Sequence, residues 1–280
     1  MKINLARSAG FCFGVKRALN IAFDTAKTEN KVFMLGDIVH NEDVVREVEK
    51  SGIRKIKGLG KGKNKTLLIR AHGSPISTFN KAIAFGYKVI DATCPMVKEI
   101  QKTAQEMEKN GYKVIVIGDK KHDEVQGIIG QLKTKAIVID NPAHIALRQL
   151  KNIGKAAVVV QSTQNLENVL RIVNTLRQRI KELKFCNTIC NPTRRKQEEI
   201  KIMPRENEVM VIIGSKSSAN TKRLYEISKS LNNRSYWVSS KDEIKKSWFK
   251  NTKNVGVTAG ASTPDSTTQD IITCLRLIRL

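Results

Sequence analysis

The chain has 280 residues, 40% hydrophobic and 27% charged, which is enough apolar content for a substantial core and too little bias for a disordered protein. Fifty Lys and Arg against 26 Asp and Glu give a formal charge of +24, but only 5% aromatics accompany it, and no zinc-finger, basic-zipper or aromatic RNA-binding motif does. The charge therefore reads as a Lys-rich solvated surface that draws in small phosphorylated substrates or an acidic protein, with no nucleic acid and no membrane as partner.

The opening KINLAR reads as a strand that completes a sheet elsewhere in the fold. AGFCFGV breaks it with glycines, and a helix follows whose stripe is Val15, Ala18, Leu19, Ala22 and Phe23. Short apolar runs come next at 32–35 (VFML), 66–69 (TLLI) and 88–91 (KVID), interrupted by a basic loop from Ile53 to Lys65. Further runs lie at 113–118 (KVIVIG), 136–139 (AIVI) and 156–160 (AAVVV), before a helix striped by Leu166, Val169, Leu170, Val173, Leu176 and Ile180. Smaller basic runs fall at Asp119 to Lys121 and Thr193 to Lys196. VMVII at 209–213 and VGVT at 255–258 precede a last helix whose apolar face holds Ile271, Cys274, Leu275 and Ile278. Such alternation of apolar runs with amphipathic helices predicts parallel α/β architecture. Boundaries near residues 96 and 192 divide it into domains of 1–96, 97–192 and 193–280.

The turns are alike. RAHGSP, DATCP, QSTQN, NTICNP, GSKSSAN and TAGASTP each lead from an apolar run through small or polar residues into a helix. Exposed backbone N–H groups and hydroxyls at a helix start form an anion site, and open α/β sheets place ligands at the carboxyl ends of their strands. The similarity is one of turn chemistry, a weak internal repeat.

Three of the five cysteines, Cys12, Cys94 and Cys190, lie in such breaks, roughly one domain length apart. An odd number at irregular spacing argues against a disulfide framework and, with no leader-like or membrane-spanning apolar run, for a cytoplasmic protein. Three thiolates that met would leave one metal position open, the mark of a reactive centre. Any one of them alone is better read as a small buried residue. His40, His72 and His122 also fall in turn motifs, while His144 follows a turn proline without supporting context.

AGFCFGVKRA, VHNEDVV, RAHGSP, DATCPMV, HDEVQG, NTICNPTRRKQ, GSKSSANTKRL and TAGASTPD, in that order, resemble the IspH/LytB family of 4-hydroxy-3-methylbut-2-enyl diphosphate reductases over essentially the whole chain. The resemblance implies three similar small α/β domains with parallel sheets, arranged trefoil-like around a central iron-sulfur cluster. It implies that Cys12, Cys94 and Cys190 hold one 4Fe-4S cluster with one open iron, leaving Cys186 and Cys274 structural. It places His40, His72, His122, Ser218, Ala219, Asn220 and Ser262 around the substrate diphosphate. Glu124 becomes the proton donor and Ser162 a relay hydroxyl, with Thr163 the other candidate. The expected electron donor is an acidic ferredoxin or flavodoxin. The chain departs from the family at Ala219, where a serine is common, at Ser162, where a threonine is, and at Asn187, where an aspartate is. A non-redox three-cysteine dehydratase or condensing enzyme of the quinolinate synthase type stays open beside this reading, as does a basic RNA-binding module with structural zinc.

Overall fold

The computed structural model describes residues 1–145 and 147–278. Strand β1 (Lys2–Leu5) leads to α1 (Phe13–Thr28), β2 (Val32–Leu35), α2 (Glu42–Lys50), β3 (Arg54–Ile56), β4 (Thr66–Ile69), α3 (Ile76–Ala84) and β5 (Lys88–Asp91). The chain continues through α4 (Pro95–Lys109), β6 (Lys113–Ile117), α5 (Asp123–Ile129), β7 (Ile137–Ile139), α6 (Leu147–Leu150), β8 (Lys155–Val160), α7 (Leu166–Arg177) and β9 (Glu182–Phe185). It ends with α8 (Asn191–Glu206), β10 (Val209–Ile213), α9 (Ala219–Leu231), β11 (Ser235–Val238), β12 (Asn254–Ala259) and α10 (Asp265–Leu277).

Three four-stranded parallel sheets result, ordered β3-β2-β4-β5, β7-β6-β8-β9 and β11-β10-β12-β1. In the first two the strands stand in the order second, first, third, fourth along the chain. The third sheet keeps the same order with β1 as its fourth strand, so Lys2 pairs with Asn254 and Leu5 with Val257. KINLAR thus completes a distant sheet, as its sequence predicts. The repeat suggested by the turns is also a repeat of topology.

Two compact units are distinguished, Met1–Lys16 with Val39–Glu47 and Asn191–Leu280, and Arg17–Ile38 with Val48–Cys190. The second unit contains the first two sheets. In its middle sheet, strand alternation sends side chains to two cores. Ile115, Ile117, Val158 and Val160 pack with Val169, Ile172, Val173 and Leu176 of α7. Val114, Val116, Ala157 and Val159 pack with Ile100, Ala104 and Met107 of α4 and Val125 and Ile128 of α5. The first unit repeats the scheme, with Val209, Val211 and Ile213 against α10 and Met210 and Ile212 against α8 and α9. Strands covered on both faces must be apolar throughout, which is why β4, β6, β8, β10 and β12 stand out in the sequence.

Three of the edge strands do not. β3 lies inside the basic loop from Ile53 to Lys65, and β9 (ELKF) and β11 (SYWV) carry no continuous apolar signal. Charged, half-exposed edges are common in sheets because they discourage pairing with other chains. The stripe expected on α7 also shifts: Leu170 is 42% exposed, and Ile172, fully buried, takes its place. Ile172→Ala should therefore cost about 2–5 kcal/mol in denaturant unfolding and Leu170→Ala under about 1 kcal/mol; equal losses would contradict this facing of α7.

Candidate active site

The strand order fixes where ligands can bind. In a sheet ordered second, first, third, fourth, connections leave the first and third strands toward opposite sides, opening a crevice at their carboxyl ends. The loops after β2 and β4 carry His40 and His72, those after β6 and β8 carry His122 and Ser162, and those after β10 and β12 carry Ser218 and Ser262, while Glu124 and Asn220 lie in the first turns of α5 and α9. The fourth strands, β5, β9 and β1, run into Cys94, Cys190 and Cys12. Each of these cysteines immediately precedes the first residue of a helix: Phe13 of α1, Pro95 of α4 and Asn191 of α8. All three are half-buried. Thiol sulfurs are soft ligands, so three such positions suit a soft metal or an iron-sulfur centre. Cys186 and Cys274 are different. Cys186 packs against the core between α4 and the middle sheet, where burial pushes its thiol up, and Cys274 lies within α10.

In the second unit a run of contacts ties these turns together. The Cys94 N–H donates to the Ala71 carbonyl at 2.9 Å, which joins that cysteine to the His72 turn. His72 meets His122 edge-on, ring centroids 5.4 Å apart and planes at 87°. Arg70 Nη1 donates to Asp123 Oδ2 at 2.6 Å, an ion pair that links the His72 turn to the start of α5. His122 caps α5, its Nδ1 accepting the Glu124 N–H at 3.1 Å. An accepting Nδ1 leaves the ring proton on Nε2, as a donor.

Glu124 is 2% exposed. Its Oε1 accepts the Ser162 N–H at 2.6 Å and its Oε2 the Ser162 hydroxyl at 2.8 Å. Burial pushes its carboxyl above the ordinary range, and the two Ser162 bonds only partly oppose this. Thr163 instead accepts from Gln161 Nε2, so Ser162 is the hydroxyl on Glu124. The Ser162 carbonyl accepts the Cys190 N–H at 3.1 Å, closing the run. Asn187 accepts the Ile189 N–H with its side-chain oxygen at 3.4 Å, a role an aspartate would also fill.

In the first unit the Cys12 N–H donates to the Ala261 carbonyl at 3.1 Å, and the Ser262 hydroxyl to the His40 carbonyl at 2.9 Å. Ser218 caps α9, accepting from the Thr221 N–H and hydroxyl. Ala219 opens the helix beside it, and the Asn220 side chain, 5% exposed, has no hydrogen-bond partner for Nδ2. A buried amide donor of this kind costs free energy unless a ligand acceptor meets it. Gly214 makes the approach possible: its φ is +148°, and a Cβ there would lie 2.6 Å from Thr221 Oγ1. Ser215 and Ser217 donate to Glu42 Oε1 at 2.8 and 3.2 Å.

Glu42, Arg70, Asp123 and Lys196 are the residues sequence reasoning passes over. Lys196 corrects one expectation outright: it belongs to a basic run read as solvated surface, yet it is 2% exposed. Burial lowers its amine to about 8, against the pull of Cys12, Glu199 and Asp265. His144 lies outside the residues whose side chains are described.

A parallel α/β protein with anion-adapted turns on its first and third strands and cysteines on its fourth is the class that fold and site define. The chain belongs to the LytB protein family, which it matches over residues 3–276. It is 40% identical over 279 residues to the 4-hydroxy-3-methylbut-2-enyl diphosphate reductase of Geobacter metallireducens, covering 99% of this chain and 98% of that one. With the enzyme of the same name from Aquifex aeolicus it shares 40% over 270 residues, 94% and 92% of the two chains. The solved structure of (E)-4-hydroxy-3-methyl-but-2-enyl diphosphate reductase, the terminal enzyme of the non-mevalonate pathway, superposes with a TM-score of 0.73 at 38% identity, over 99% of each chain. That of the E-1-hydroxy-2-methyl-but-2-enyl-4-diphosphate reductase from Plasmodium falciparum gives 0.90 at 26%, over 98% of this chain and 87% of that one.

A raised carboxyl makes a signed prediction. The folded protein holds the Glu124 proton more tightly than the unfolded chain, so the stabilisation is complete below 4.5 and is lost as pH rises through the folded value. Glu124→Gln carries no such loss, and its stability relative to the parent should grow from pH 4.5 upward in denaturant titrations. A pH-independent difference would mean that Glu124 is not raised. The Arg70–Asp123 pair, with side chains 16% and 29% exposed, should show a coupling of about 1–2 kcal/mol in a double-mutant cycle of Arg70→Ala and Asp123→Ala.

Proposed function

We propose that the protein is an iron-sulfur oxidoreductase that reductively dehydroxylates (E)-4-hydroxy-3-methylbut-2-enyl diphosphate to isopentenyl and dimethylallyl diphosphates, the last step of the methylerythritol phosphate route. Two electrons and two protons enter and water leaves. Near full-length kinship with reductases of that substrate carries the reading. Support comes from a buried carboxyl in the first turn of α5 and from three cysteines that immediately precede helices.

Cys12, Cys94 and Cys190 would hold one 4Fe-4S cluster. When bound, it supplies electrons singly and offers an iron without a protein ligand as a Lewis acid for the substrate hydroxyl. Everything else falls to the chain. His40, His72, His122, Ser218, Asn220 and Ser262 would clamp the diphosphate, with a bare backbone N–H from Ala219 where relatives commonly add a hydroxyl. His122 contributes Nε2–H, and Asn220 the buried Nδ2 that lacks a protein acceptor. Hydrogen bonds to a charged phosphate are roughly twice as strong as neutral ones, a gain that all of these donors would share.

Glu124 would give a proton to the leaving oxygen. Burial keeps it protonated to higher pH than an exposed glutamate, which a donor near neutrality requires. Ser162, bound to the carboxyl through both N–H and hydroxyl, orients it and offers a relay path. Division into catalytic lobes at 1–96, 97–192 and 193–280 belongs to the same proposal; one parallel sheet falls in each range, save for β1. So does an acidic donor, ferredoxin or flavodoxin, drawn by the +24 surface. Among the described residues no helix is long and apolar enough to cross a membrane, which accords with a cytoplasmic enzyme.

The test is anaerobic turnover of the diphosphate alcohol by purified, cluster-loaded protein. Both isoprenoid products should form only with a strong reductant. Product without reductant would move the protein to the non-redox dehydratases, and colourless, zinc-containing protein without turnover would end the reading.

A further inference from the structure

Lys196 is a buried cation that the proposed chemistry does not use. It sits in the second turn of α8, 2% exposed, and its ammonium donates to three backbone carbonyls: Ser8, Gly10 at 3.1 Å and Ala259 at 2.9 Å. An ammonium has three protons, and all three are used. Two of the acceptors belong to the turn that carries Cys12, and the third ends β12, on whose edge β1 pairs. One helical turn further along the same face, Glu199 grips the other side of that turn. Its Oε1 accepts the Arg7 N–H at 3.0 Å, and its Oε2 accepts the Ser8 N–H at 3.0 Å and the Ser8 hydroxyl. The segment from Arg7 to Gly10 is therefore held by its carbonyls from Lys196 and by its amides from Glu199. Gly10 then turns with φ +87°, a Cβ there meeting Asp265 Oδ1 at 2.6 Å, and two residues later the Cys12 N–H is anchored on Ala261.

We infer that Lys196, with Glu199 as its counterpart on α8, is a positioning residue for Cys12: it fixes the turn that presents the thiol and places a buried positive charge beside it. Three carbonyls aimed at one point would repel each other without a cation between them, and a neutral side chain of equal length would leave all three buried and unmatched. The same charge favours electron arrival at a negatively charged cluster, since potentials of such centres follow local charge and hydrogen bonding. That second consequence rests on the cluster reading of Cys12, whereas the clamp does not.

The experiment separates the two. Hydrogen exchange followed by mass spectrometry is run on the cluster-free full chain as wild type, Lys196→Met and Lys196→Arg. The amides from Ser8 to Cys12 should exchange about tenfold faster in Lys196→Met, with those of β10 unchanged and Lys196→Arg between the two. Anaerobic reconstitution should then give Lys196→Met a lower iron content and a more negative midpoint potential, while Lys196→Arg keeps the wild-type potential. A turn that exchanges as slowly in Lys196→Met as in wild type overturns the clamp, and an unchanged potential overturns the electrostatic role. Wild-type protein that takes up no iron would instead sink the cluster reading, with the exchange data still deciding the clamp.

Discussion

Parallel pairing in one repeated strand order is the constraint from which the rest of this structure follows. A parallel sheet returns the chain to the same edge through each helix, so every strand-to-helix turn of that sheet opens at its carboxyl end. Three sheets built in the same order then assign the same job to the same strand. Turns after first and third strands carry histidines, serines, an asparagine and a carboxyl, and turns after fourth strands carry cysteines. Division of labour follows from topology before any individual contact is considered.

Within that frame, burial makes ordinary side chains chemically unusual. Glu124 would be a solvated first-turn glutamate on most helices, but at 2% exposure, with Ser162 its hydrogen-bond partner among the described residues, burial raises its carboxyl above the ordinary range. Lys196 is the basic counterpart: burial lowers its amine to about 8, while three carbonyls accept from its ammonium. Both are exceptions to the rule that ionisable side chains stay outside, and both adjoin loops that carry site residues.

Much of this is legible in the sequence because interior strands and turns have strong local signatures. VMVII and AAVVV are apolar throughout since helices cover both faces, and Pro, Gly and Ser mark the turns. What escapes is set by distant partners. Nothing in RKI or ELKF marks an edge strand, because an edge needs only one neighbour to pair with. Leu170 and Ile172 are equally apolar, and only the packing on β8 and β6 decides which of them α7 turns inward. Lys196 sits in a run of basic residues, and its acceptors lie 188, 186 and 63 residues away in sequence. The Ser162 and Thr163 hydroxyls, adjacent in the turn after β8, differ because they meet different neighbours, Glu124 and Gln161.

The placement of β1 bears on the order in which the molecule can assemble. The first two sheets close from contiguous stretches of chain, but the third lacks its fourth strand until Lys2 to Leu5 meet Asn254 to Val257. During synthesis the opening segment must wait, unpaired, until almost everything else has been made, and loop-closure entropy opposes that last step. Cys12 rides on the waiting segment. Its thiol reaches its final setting only when the two ends of the chain have joined, so insertion of any centre that needs it is coupled to completion of the fold and withheld from truncated chains.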